Sequence, residues 1–237
     1  ATMIGLALLV DMAGMITSIT GGFLNVLKRS LGSDYLFIPP SVALWGGNVG
    51  ANESLAERLR TVDGVEAVST IRFAVSSLDG QALSLMGIDP VAFPQVAGLN
   101  FQAGDEKTAF AELANGRNLM LNPIMAAQKG YAVGDAVALI TPEGEQTYRV
   151  VAIAGDYLNS KTPAAYVSQA NLAADFHKTD DIFIQLNLAP GVDQAVVEPK
   201  LKAIAADYPQ FRFVSGQAFY EENERLMKTA FQAMYIL

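Results

Sequence analysis

NESLAERLRTVDGVEAVSTIRFAVSSLDGQALSLMGID, residues 52–89, holds the local pattern on which the fold turns. Asn52 stands where a helix cap belongs, and Leu55, Ala56, Leu59 and Val62 fall on one face of the helix that follows. Val62-Asp63-Gly64 stops that helix, and a run rich in Val and Ile reads as a strand. Asp79-Gly80, set between two apolar runs, predicts a tight hairpin. Just upstream, DYLFIPPS (34–41) is held extended by Pro39 and Pro40. The order is β-α-β-β.

Working outward, the same pattern returns near the other end. DDIFIQLNL (180–188) predicts a strand, GVDQAVVEPKLKAIAADYP (191–209) contains a helix, and QFRFVSGQAF (210–219) is a strand feeding a last helix. Between the two lies a strand-dominated block. NLMLN (118–122) is a short strand. PIMAAQKG is a helix with Asn122 as cap, Pro123 at its first position and Gly130 past its end. Residues 131–157 are two strands joined by a PEGE turn, AAYVS (164–168) is another strand, and Ser168 caps QANLAADF. The expected class is α+β, with two β-α-β flanks forming one subdomain and a β-rich subdomain inserted between them.

Both ends of the chain are apolar. Residues 1–27 hold one charged side chain, Asp11, and a spanning helix needs about 20 mostly apolar residues. Met12, Met15, Ile16, Ile19, Phe23, Val26 and Leu27 follow helical spacing. The reading is a membrane helix continuing as an amphipathic stalk that ends near KRSLGSD, with a core helix as the alternative. Asp11 is either a functional carboxylate within the hydrocarbon or, as the plainer reading, a residue near the interface or on a helix–helix face. FYEENERLMKTAFQAMYIL (219–237) starts acidic, as a helix start prefers, and turns apolar, with Met227, Phe231 and Met234 near one stripe. It reads as a second stalk leading into a second membrane segment.

Hydrophobic residues make up 51% of the 237, charged residues 17%, and mean hydropathy is +0.26, against about a quarter charged in ordinary domains. A net charge of −8 without any Lys/Arg-rich run argues against nucleic acid as a partner. Cysteine is absent, so disulfides and thiolate metal sites are excluded.

Little of the sequence suggests chemistry. The single histidine, His177, has Asp175, Asp180 and Asp181 close by, which is either a carboxylate–imidazole metal cluster or a solvated acidic loop. WGGNVG (45–50) matches neither a dinucleotide nor a phosphate-loop pattern and reads as a mobile loop, with Trp45 either a packing anchor or an exposed contact. Asn52-Glu53-Ser54 matches a glycosylation sequon only formally. No catalytic, cofactor-binding or metal-ligating residue is assigned, and no cofactor is expected.

Taken together, DYLFIPP, LRTVDGVEAVSTIRF, LSLMGIDPVAF, NLMLNPIMAAQKGYAVGDAVAL, YRVVAIAGDY and IFIQLNLAPGVDQAVVEPKLKAI resemble the large extracytoplasmic domain of FtsX/MacB-type ABC transporter permeases, the MacB-like periplasmic core domain. Ala126, Gly130, Gly134, Asp135, Val150, Ile153 and Asp156 stand at recurring positions of that family, as fold signatures rather than catalytic groups. Asp11 departs from the family's usual uninterrupted apolar run. The resemblance implies two subdomains, called Porter and Sabre. Their expected boundaries are 1–31 for the end of a first transmembrane helix and its stalk, 32–102 and 179–218 for the two halves of a Porter-like unit, 103–178 for a Sabre-like insert, and 219–237 for the second stalk.

The family further implies a non-catalytic permease in the inner membrane, with this domain periplasmic or otherwise extracytoplasmic. Its implied partners are a cytoplasmic ABC ATPase, separate or fused, a second permease protomer in a homo- or heterodimer, and an envelope adaptor or lipoprotein. ATP-driven closure would pass through stalks at Met12–Leu31 and Phe219–Leu237 to the outer domain, exporting or extracting lipids, lipoproteins, peptides or drugs, or regulating an envelope enzyme. Gly21-Gly22 would be a kink or a close helix contact. Two competing readings stand beside this one: a membrane-anchored binding module not coupled to ATP, and an anchored hydrolase using the His177 region.

Overall fold

Val65–Leu78 (β2), with its run of Val, Thr, Ile and Phe, forms a fourteen-residue strand at the middle of the molecule. The computed structural model describes residues 21–22, 24–41 and 45–235. The readings that fall on residues 1–20, Phe23 and residues 236–237, Asp11 among them, lie outside the described residues. In chain order, helix α1 (24–31) leads to β1 (Tyr35–Ile38), a 3-10 turn (Trp45–Gly47), α2 (Ser54–Arg60), β2 and β3 (Gln81–Ile88). Next come α3 (Phe93–Val96), β4 (Asn100–Ala103), α4 (Glu106–Leu113), β5 (Asn118–Leu121), α5 (Pro123–Lys129), β6 (Ala136–Thr141), β7 (Gly144–Gly155), β8 (Ala164–Ser168) and α6 (Gln169–Phe176). The chain closes with β9 (Asp181–Leu188), α7 (Gln194–Ala205), β10 (Arg212–Ser215) and α8 (Gly216–Tyr235).

The caps follow the sequence closely. Asn122 Oδ1 accepts from Met125 N and Ser168 Oγ from Asn171 N, while Asp79 and Gly80 turn the β2–β3 hairpin with φ of 49° and 74°. Asn52 is a correction. It sits one residue before the cap position, which Glu53 occupies, and there its Oδ1 receives Ser54 N at 3.1 Å. β4 and α4 carry no strong sequence signal: β4 is four residues long and mostly exposed, and α4 is eight residues long and buries only Ala109, Phe110 and Leu113. The one clue is Asp105, whose carboxylate accepts from Thr108 N at 2.9 Å.

Ten strands among the described residues form one mixed sheet, in the order β10-β1-β9-β2-β3-β8-β5-β7-β4, with β6 paired to β7. The strands of the two sequence flanks, β10, β1, β9, β2 and β3, make a proximal half. Those of the central block, β4–β8, make a distal half. A parallel seam joins them, Ser84 opposite Ala164 through Ile88 opposite Ser168 on β3 and β8. Ser76 Oγ also donates to Ile140 O (2.9 Å), tying the far end of β2 to β6.

Because side chains alternate along strands, the inner strands of the sheet feed two cores. On one face α2 and α7 cover the proximal half, with Leu55, Leu59, Val197 and Leu201 on Phe37 and Ile184. On the same side α5 and α6 cover the distal half, with Met125 and Leu172 among Leu85, Leu121 and Val167. The opposite face is a single core that spans the seam, from Leu36, Ile71 and Phe183 to Met120, Ala152 and Tyr166. α1 lies on this spanning core through Leu27 and Leu31. No helix among the described residues is long and apolar enough to cross a membrane.

Candidate functional site at the helix–sheet junction

The residues singled out for chemistry separate in space. His177, in the left-handed conformation (φ 54°), ends α6, and its exposed Nε2 lies 2.5 Å from Glu143 Oε1. Asp175 is buried on a different pair: Arg117 donates twice at 2.8 Å and Tyr148 OH once at 2.5 Å. The Arg117 guanidinium is the main reason its carboxyl titrates below the ordinary range. Asp181 accepts from Thr70 Oγ1 (2.8 Å) and Arg72 Nε (2.9 Å) beneath β9. Burial pushes its carboxyl up, and these two bonds offset only part of that. Among the described residues no three His, Asp or Glu side chains converge as a metal site.

Trp45 proves to be a packing anchor. It is buried, stacked on Phe73 at 6.4 Å and edge-on to Phe183 at 6.1 Å. The loop expected there is a 3-10 turn held by Asn48 Nδ2, which donates to Ser41 O and Trp45 O. The family-signature residues also serve the fold. Asp135 Oδ2 accepts from Ala132 N (2.8 Å), Gly134 N donates to Val150 O, and Val150 N donates to Asp135 O, which locks α5's exit onto β7.

What the tertiary structure does assemble is a junction. β1 and β10 are antiparallel neighbours, Tyr35 opposite Ser215, so α1 arrives and α8 departs at the same end of the sheet. Gly216 N donates to Asp34 O at 2.8 Å. A Cβ at Gly216 would lie 1.8 Å from Ser33 O, so only glycine permits this approach. Ser215 Oγ accepts from Ala218 N and caps α8 (3.2 Å), and Arg212 braces its second turn through Glu222 (3.1 Å) and the Phe219 ring.

The last turn of α1 is held on several sides. Of the stripe expected there, Leu27 is buried and Val26 only half-buried; Leu24, Ser30 and Leu31 complete the inward face, at spacings of three and four residues. Terminal helix carbonyls lack intrahelical partners, and here outside donors supply them: Gly98 N to Arg29 O (2.8 Å) and Gln185 Nε2 to Ser30 O (3.0 Å). Ser30 Oγ accepts from Tyr157 N at 3.0 Å, and Ser33 Oγ donates to Val96 O at 2.7 Å. Asp34 closes the turn, its Oδ2 accepting from Leu188 N (2.7 Å) and its backbone N donating to Asn187 Oδ1 (3.1 Å). A cleft of about 490 Å³ separates the helices, walled by Leu27, Lys28 and Leu31 on one side and Phe219 and Tyr220 on the other.

Tyr157 belongs to a rigid turn. Asp156, wholly buried, accepts from Asn159 N (2.7 Å) and Asn159 Nδ2 (3.1 Å), and its own N donates to Tyr166 OH (3.1 Å). Burial raises the Asp156 carboxyl above its ordinary range. Sequence reasoning passed over Gln185, Ser30 and Ser33. The available signal was a polar side chain inside the apolar run IFIQLNL. Among the described residues, nothing beyond the helix's own backbone lies within 4 Å of a Cβ added at Gly21 or Gly22.

Comparison with known proteins agrees with this architecture. A family model described as the MacB-like periplasmic core domain matches residues 1–204. The fold is similar to the periplasmic region of MacB from Actinobacillus actinomycetemcomitans, with TM-score 0.56 and 14% identity over 84% of this chain and 98% of that one. It is likewise similar to the extracellular domain of the noncanonic ABC-type transporter YknZ from Gram-positive bacteria, with TM-score 0.54 and 17% identity over 77% of this chain and 98% of that one. Among proteins with curated functions none matches this sequence.

Proposed function

Since the chain belongs to the family of MacB-like periplasmic core domains, we propose that it is the extracytoplasmic part of an ABC transporter permease and that it works by transmitting force. The observation behind this reading is the junction: two helices leave one end of one sheet from adjacent antiparallel strands, bonded to each other's turns. A change in the spacing or tilt of that pair at the membrane becomes a torque on the sheet. Packed elements shift between discrete arrangements rather than deforming smoothly.

In this reading residues 32–102 and 179–218 move as one Porter-like unit, apart from residues 100–102 of β4, which go with β7, and 103–178 move as a Sabre-like unit. The protein itself does no covalent chemistry. A cytoplasmic ATPase supplies the energy, a second permease protomer completes the pair, and the domain stands outside the cytoplasmic membrane. Candidate cargo is a lipid, lipoprotein, peptide or drug, and an envelope adaptor would extend the path.

The test is affinity purification of the full-length gene product from its own membrane, with mass spectrometry of what accompanies it. A stoichiometric nucleotide-binding ATPase, or one fused to the same chain, is the expected result. Neither being found overturns the proposal in favour of an anchored binding module.

A further inference from the structure

We propose that Ser30 is the pin by which the first stalk moves both halves of the sheet together, an inference that rests on the force-transmission reading above. The residue lies in the last turn of α1 and is buried. Its two oxygens point to different halves of the molecule. The backbone carbonyl accepts from Gln185 Nε2 at 3.0 Å, and Gln185 lies on β9, the strand between β1 and β2 in the proximal half. The hydroxyl accepts from Tyr157 N at 3.0 Å, and Tyr157 lies on the link from β7 to β8, in the distal half.

Both partners are stiff. Gln185 is 1% exposed, its side chain fixed by a second bond to Ser33 Oγ (3.3 Å). Tyr157 lies within the Asp156–Asn159 turn, where Asp156 N donates to Tyr166 OH on β8, the seam strand itself. A displacement of the α1 terminus therefore reaches β9 through one atom and β8 through another. The Arg29–Glu106 pair also runs from α1 to the distal half, but it is nearly half exposed on both sides and transmits little. Among the described residues α8 shows no equivalent polar tie: its first turns bond to Asp34, Ser215 and Arg212, all on or beside the two proximal strands.

The experiment uses the full-length permease with its ATPase in lipid nanodiscs. Ala127 on α5 and Lys200 on α7 are exposed, one in each half, and this chain has no cysteine of its own to compete for spin labels. The 127–200 distance distribution is recorded by pulsed electron spin resonance, without nucleotide and with a non-hydrolysable ATP analogue. The expected result is a shift in the parent protein, its loss in Ser30→Ala with the nucleotide-free distribution unchanged, and its return in Ser30→Thr, which keeps the hydroxyl.

A Ser30→Ala protein that shifts as the parent does overturns the proposal. One whose nucleotide-free distribution is already displaced also overturns it, by showing Ser30 to be a packing residue. A parent that hydrolyses ATP without any shift sinks the force-transmission reading itself, and the pin with it.

Discussion

The two helix junctions are covalently alike, each a helix joined to a short strand through a tight turn at a glycine, yet the sheet holds them differently. At α1 the inward face is buried in the core that spans the seam, and donors from β9, from the α3–β4 link and from the β7–β8 link all meet its last turn. At α8, Phe219 and Tyr220 reach the same core but are only half-buried, and among the described residues its polar contacts stay with β10 and the turn before β1. Several anchors in separate strands define a helix's tilt as well as its position. Anchors on one strand pair define the position alone. The difference teaches that neighbouring elements of similar sequence character can be held to one sheet in different ways.

The harshest way to break the comparison is Gly216→Ala. Its Cβ would meet a backbone carbonyl that cannot rotate away, so both junctions must shift together. A loss on the order of 4 kcal/mol is expected, at the severe end for one substitution, read as a fall in the urea midpoint. Leu31→Ala, in the buried turn of α1, should cost about 3 kcal/mol by the same assay. A cost under about 1 kcal/mol would mean that α1 is no better anchored than α8.

Gln185→Leu keeps most of the volume but withdraws the donor from Ser30 O and Ser33 Oγ. Leaving buried acceptors unmet costs about 1–3 kcal/mol. Faster hydrogen exchange at Arg29–Ser33 should accompany the loss, with the start of α8 unaffected. At the other extreme, Leu226 on α8 is 60% exposed, and Leu226→Ala should change stability by less than about 0.5 kcal/mol.

Asp156 adds a change of slope. Its folded carboxyl titrates above the unfolded value of about 3.9, so the folded state holds the proton more tightly. That contribution is fully present below about pH 3.9 and is lost as pH rises through the folded value. Asp175 runs the other way: its carboxyl is depressed by Arg117, so its contribution is present above the unfolded value and is lost as pH falls through the folded one. Asp156→Asn should shrink the decline on the rising side, leaving the part that the raised Asp181 carboxyl contributes, and Asp175→Asn should remove its part of the decline on the acid side. Denaturant midpoints measured from about pH 2 to 8 would separate them, and a wild-type slope in Asp156→Asn would show that this carboxyl does not set it.

Most of the element order was readable because it is written locally. Asn122 and Ser168 satisfy backbone groups within three residues of themselves, and Asp79-Gly80 supply the two positive φ angles of a tight turn, so a short window suffices. Asn52 was misplaced by one position because an Asx turn and a helix cap use the same side-chain oxygen. β4 and α4 were missed because their stability comes from packing against β7 and β5 rather than from propensity.

The junction was far less legible. Ser30 and Gln185 are 155 residues apart, and Ser30 and Tyr157 are separated by 127. A serine at a helix end looks the same in sequence whether its hydroxyl meets water or a backbone amide from another part of the sheet. The nearby acids misled for the mirror reason. Asp175, Asp180 and Asp181 are neighbours in sequence, but a helix exit and a strand start send Asp175 to Arg117 and Asp181 to Arg72.

By itself the sequence determined the alternation of strands and helices, the nested order of flanks and insert, the helix stops and the family, since each depends on spacing, turn chemistry and apolar periodicity along the chain. Only the tertiary structure decided that flank and insert share one sheet through a parallel β3–β8 seam, that α1 rests on the core beneath that seam, and that Ser30 is bonded to both halves. Strand pairing and burial are long-range choices among many apolar faces that look alike in sequence. They resolve only when every strand has found its neighbour.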